Sequence, residues 1–160
     1  MKILFSLIAI IWFTECGEKN ISETPDKTID SKNPMVAMQE DTTIVYEATT
    51  RGFYEKIWID KDSISVTNDR NEAEISRFPT PKSDWDELIH ILSEIDVTNL
   101  PNLKAPTSTR EYDGAAIATL SVKQNEQETK SNSFDHGHPP KAIEALVNKV
   151  LSMGKVGKKH

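Results

Sequence analysis

The sequence predicts an α+β domain, an antiparallel sheet of about five or six strands with two amphipathic helices packed on one face. Three observations carry this. Short β-branched runs punctuated by Gly, Asn and Asp fill residues 43–78. Apolar residues recur at helical spacing twice, from Trp85 and again from Ile143. The strands come in blocks before and between the helices instead of alternating with them one by one, which argues against a parallel βαβ sheet.

Thr43 to Thr50 reads as the first strand, and Arg51-Gly52 as the turn that follows. Phe53 to Ile59 alternates, with Phe53, Ile57 and Ile59 on one face and Tyr54, Lys56 and Trp58 on the other. Asp60-Lys61-Asp62 is a turn, Ser63 to Thr67 a strand, Asn68 to Asn71 a turn, and Glu74 to Phe78 a fourth strand stopped by Pro79 and Pro81. Ser83 is placed to cap a helix whose stripe is Trp85, Leu88, Ile89, Leu92 and Ile95, with Asp84, Asp86 and Glu87 at its positive end. An irregular loop with two apolar pegs, Leu100 and Leu103, follows. Asp113-Gly114 predicts a hairpin between Thr107–Tyr112 and Ala116–Val122. Glu126-Gln127 predicts another, leading into a polar strand from Glu128 to Phe134. Pro139-Pro140 opens the second helix, whose stripe is Ile143, Leu146, Val147, Val150 and Leu151, and Gly154 stands where a left-handed terminating residue is wanted. Trp58 and Trp85 are both expected in the core. The domain so defined spans 43–153, with a basic tail over 154–160.

The amino terminus reads differently. Met1-Lys2 precedes an apolar run from Ile3 to Phe13 interrupted only by Ser6, and the chain's one cysteine, Cys16, follows. As a helix that run is roughly 16 Å long against a hydrocarbon core of about 30 Å, so it predicts a signal peptide over 1–15 and no stable span. A lone cysteine in an exported chain has no internal disulfide partner, and its place just beyond the run predicts Cys16 as a lipid attachment point. Residues 16–42 are polar, with Pro25 and Pro34, and predict the lipidated cysteine and a flexible tether. The whole chain carries a formal charge of −6. Loss of residues 1–15 would remove Lys2 and Glu15 together and leave that charge unchanged, which argues against nucleic-acid binding.

The segment Phe13-Thr14-Glu15-Cys16 resembles the processing site of bacterial lipoproteins, departing from it at Glu15, where a small residue is usual. Thr49-Thr50-Arg51-Gly52-Phe53-Tyr54, Ser83-Asp84-Trp85, Ala105-Pro106-Thr107, Asp113-Gly114-Ala115 and Phe134 to Pro140 together resemble small lipoproteins of Bacteroidetes-type bacteria, a domain class of unknown function. The likeness covers about 43–153. It implies the fold and an address, the bacterial cell envelope, with the lipid-anchored membrane as one partner; Gly17 after Cys16, where Asp is absent, resembles the pattern of lipoproteins forwarded to the outer membrane. It implies no reaction.

Chemistry is therefore sought in the residues. Asp135-His136-Gly137-His138 gathers a carboxylate and two imidazoles, making Asp135, His136 and His138 the candidate metal ligands. Asp, Gly and Pro between a strand and a helix equally serve a shaped turn. Arg51 and Tyr54 are candidate binding residues, because Arg pairs carboxylates in a fork and aromatics provide anchor area; Arg110 joins them within Arg110-Glu111-Tyr112-Asp113. No nucleophile elbow, zinc-protease helix, Cys-x-x-Cys pair or dinucleotide fingerprint is present, so no catalytic residue and no cofactor is assigned. The preferred reading is a non-enzymatic binding module for an envelope protein, glycan or small molecule. The alternative is a small metal-dependent or hydrolytic enzyme built on the 135–138 loop.

Overall fold

A computed structural model describes residues 41–156. The expected signal peptide, the lipid attachment at Cys16, the tether up to residue 40 and the last residues of the tail lie outside them. The elements, in chain order, are β1 (Thr42–Thr50), β2 (Phe53–Ile59), β3 (Ser63–Thr67), β4 (Ser76–Pro79), α1 (Lys82–Ser93), β5 (Ile117–Gln124), β6 (Gln127–Lys130), β7 (Phe134–Asp135) and α2 (Glu144–Val156), with short 3-10 helices at Val97–Asn102, Thr109–Tyr112 and Lys141–Ile143. All strand pairs are antiparallel, in the order β4-β3-β2-β1-β5-β6, and β7 pairs with the first residues of β5. The predicted α+β class holds, with seven strands where five or six were expected.

Register explains the core. Tyr46 lies opposite Ile57 and Leu120, Ile44 opposite Ile59 and Val122, and Ile57 and Ile59 opposite Val66 and Ile64. Because side chains alternate along a strand, these residues all project to one face. There they form a single buried cluster with Trp85, Leu88, Ile89 and Leu92 of α1 and Leu146, Val147, Val150 and Met153 of α2. Each such side chain contributes roughly 1.5–3 kcal/mol by leaving water. The two helices are also tied to each other, since Lys149 of α2 reaches Asp84 at 2.8 Å and Glu87 of α1.

Several local expectations are corrected. Helix α1 starts at Lys82 behind Pro81, whose ψ of 132° keeps it extended and whose carbonyl accepts the first helical bond from the Trp85 amide at 3.0 Å; no side chain caps the end, Ser83 included. Thr107–Tyr112 is not a strand. Its last four residues form a 3-10 helix ending at Asp113 with φ 58°, where the Gly114 amide bonds Thr109 O at 2.9 Å. The next tight turn falls at Asn125-Glu126, one residue before the expected place, with positive φ at both positions (47° and 68°), the geometry whose twist suits a two-residue hairpin. The single polar strand expected from 128 to 134 is two strands, β6 and β7, separated at Ser131, whose hydroxyl and amide bond the Leu120 amide and carbonyl. Gly154 does not end α2 but lies inside it, pressed against β2: a Cβ there would sit 2.6 Å from Ile57 Cδ1. The helix therefore continues beyond the expected start of the tail at 154.

Candidate functional site

The 135–138 loop is a built turn and not a ligand cluster. Asp135 pairs with Ile117 in the last rung of the sheet, and the His138 amide returns to Asp135 O at 2.8 Å across Gly137, whose φ of 85° suits the third position of a type II turn. Strand alternation then sends the side chains of Asp135 and His136 to opposite sides. Asp135 is fully buried. It accepts from the Thr109 amide at 2.8 Å and the Thr109 hydroxyl at 2.5 Å, and from the Arg110 amide at 3.0 Å and Arg110 Nη1 at 3.1 Å. Burial pushes its carboxyl pKa up, but the hydrogen bonds from Thr109, Thr107 and Arg110 outweigh it and hold the group far below the usual carboxylate range.

His136 faces the core side instead. Its Nδ1 lies 2.7 Å from the hydroxyl of the fully buried Tyr46, and its ring meets Phe53 at 5.4 Å between centroids. His138 is exposed. The structure thus separates the three candidate ligands, and among the described residues no group of three or more His, Cys, Asp or Glu side chains is placed to hold a metal ion. Arg110 is likewise no free binding residue, since its guanidinium is spent on Asp135, Thr107 O and, at 3.4 Å, Ser133.

Burial, and then the charge of Glu55, raise the Tyr46 phenol well above its ordinary pKa of 10.0. A group whose native pKa is raised contributes stability that is present below its unfolded pKa and lost as pH rises above it. The stability difference between the wild type and Tyr46→Phe, about 1 kcal/mol at neutral pH, is therefore expected to shrink above pH ~10. Urea unfolding of the two proteins from pH 7 to 11 checks it; a constant difference would refute the assignment.

The second face of the sheet gathers the other candidates. Opposite the core lie Thr43, Val45, Glu47 and Thr49 of β1, Tyr54, Lys56 and Trp58 of β2, Ser65 and Thr67 of β3, Arg77 of β4, Ser121 and Lys123 of β5, and Glu128 and Lys130 of β6, as the register requires. Trp58 belongs here and not to the core, because it shares the parity of Lys56 and not of Ile57; neither it nor Val45 joins the helix-packed cluster. Lys56 Nζ stands 4.6 Å over the Trp58 ring, and the Arg70 guanidinium 5.5 Å over the Tyr54 ring. Lys56 also bonds Glu72 Oε1 at 2.7 Å, which the Tyr54 hydroxyl approaches at 3.5 Å. Burial lowers the Lys56 pKa, but the Glu72 bond and the surrounding negative groups raise it overall; burial and Glu47 raise that of Tyr54. Arg51 is exposed in the β1–β2 turn, at the end of this face. Of the sequence-derived binding residues only Tyr54 lies on the surface of the sheet itself. Lys56, Trp58, Arg70 and Arg77 went unassigned, although the alternation of β2 already grouped the first two with Tyr54.

No protein-family model matches the chain, and no curated protein matches it.

Proposed function

We propose that this chain is a lipid-anchored protein of the bacterial cell envelope, held through Cys16 in the outer membrane, whose domain is a non-enzymatic recognition module for another envelope protein. The observation that carries the reading is the division of the sheet into two unlike faces. One is consumed by both helices. The other presents Tyr54 and Trp58 with Lys56, Arg77, Lys123 and Lys130. Tyr, Trp and Arg, present here as Tyr54, Trp58 and Arg77, are the residue types enriched where proteins bind one another. The sequence features of residues 1–16 support the anchor.

The test uses the full chain expressed in a bacterial envelope and labelled with an alkyne fatty acid. Label on the wild type and none on Cys16→Ser is expected. A photocrosslinking residue replacing Trp58 is expected to give one discrete adduct, and the same group replacing His90, exposed on α1, none. Unlabelled wild type, or equal crosslinking from the two positions, would overturn the reading.

A further inference from the structure

Residues 68–75 leave β3 and fold back over the second face of the sheet. The Asn68 side-chain amide donates to Tyr54 O at 2.9 Å and Arg70 Nη2 to Thr50 O at 2.7 Å. The Asp69 carboxylate accepts from the amides of Asn71 at 3.0 Å and Ala73 at 2.9 Å, and the Thr67 hydroxyl reaches Glu74 O. The loop is thus anchored without help from the Glu72 carboxylate. Glu72 nevertheless takes a left-handed φ of 55°, a conformation unfavourable for a residue with a Cβ, and its carboxylate lies on Lys56 and Tyr54.

We propose that Lys56 and Tyr54 form a carboxylate subsite which Glu72 occupies in the free protein, and that an acidic segment of a partner protein binds by taking Glu72's place. The inference rests on the recognition reading above and specifies its ligand chemistry. Two observations support it. Both contacts of Glu72 fall on one oxygen, Oε1, and its side chain is 39% exposed, so an incoming carboxylate has access. The rings of Trp58 and Tyr54 already carry a cation each, which obstructs the stacking a sugar ring would need and favours an anionic partner.

A tethered carboxylate competes at an effective concentration in the millimolar range, and apparent affinity falls in proportion to the time the subsite is filled. Glu72→Gln is therefore expected to bind a hexaglutamate peptide about fivefold more tightly than the wild type. Titration calorimetry on the full chain in detergent micelles reads this, with hexaserine peptide and oligogalacturonate as further probes. Lys56→Met in the Glu72→Gln background is expected to lose about tenfold or more, with circular dichroism confirming the fold. Equal affinity of wild type and Glu72→Gln, indifference to Lys56→Met, or tighter binding of the serine peptide or the acidic glycan would each overturn the subsite. If the Trp58-position crosslink still forms while any of these holds, the subsite alone fails; if the crosslink is missing as well, the recognition reading fails with it.

Discussion

Asp135→Asn is expected to lower the thermal midpoint of the domain by roughly 10 °C. The carboxylate is wholly buried and gathers the amides of Thr109 and Arg110, the Thr109 hydroxyl and the Arg110 guanidinium. An amide in its place aims an N–H group at donors and leaves a half-buried guanidinium without its counter-charge. Arg110→Met is expected to cost about half as much, because the amide and hydroxyl donors still satisfy the carboxylate. The pH dependence has a definite sign. A carboxyl depressed in the native state contributes stability that is present above its unfolded pKa, near 3.9, and lost as pH falls below that value. Urea unfolding of wild type and Asp135→Asn should therefore converge on acidification below pH ~4. Curves that stay parallel from pH 7 to 2 would show that the carboxylate charge is not what holds the 107–113 segment.

The same carboxylate explains where local sequence signals misled. Asp113-Gly114 has the composition of a hairpin turn, and in isolation Thr107–Tyr112 could pair with the strand after it. Asp135, more than twenty residues away in sequence, takes the amides of Thr109 and Arg110 that such pairing would need. The β5 strand pairs instead with β1 and, at its start, with β7. A contact at that separation leaves no periodic trace. Asp135, His136 and His138 are adjacent in sequence yet do not converge for a related reason: strand alternation drives Asp135 and His136 apart, and among the described residues no three such side chains are placed to hold a metal ion. By contrast, the helix stripes, the strand blocks and the split of β2 into Ile57/Ile59 and Tyr54/Lys56/Trp58 were legible, because they depend on period alone. That split also keeps Trp58 out of the core. The Glu72 contact with Lys56 was not legible, since it depends on how an irregular loop folds back.

Gly154 provides the sharpest check on the packing of α2 against the sheet. In an unconstrained helix, replacing glycine by alanine stabilises by about 1 kcal/mol, so propensity alone predicts a gain for Gly154→Ala. The added Cβ, however, would lie 2.6 Å from Ile57 Cδ1 and 3.2 Å from Cγ1, and Ile57 is itself buried between α2 and its strand neighbours. Ile57 must change rotamer or the helix must rise from β2, and overpacking of this kind costs ~1–3 kcal/mol. Gly154→Ala is therefore expected to destabilise by about 1 kcal/mol net. Ile57→Val removes Cδ1 and alone costs about 1 kcal/mol. In the double variant the alanine methyl fills the vacated space and the helix keeps its propensity gain, so its stability should lie close to that of Ile57→Val or above it. The resulting coupling, about 1–2 kcal/mol, is readable from urea unfolding of the four proteins. Additive effects, or a Gly154→Ala protein more stable than wild type, would mean that α2 stands further from the sheet than the Ile57 contact requires.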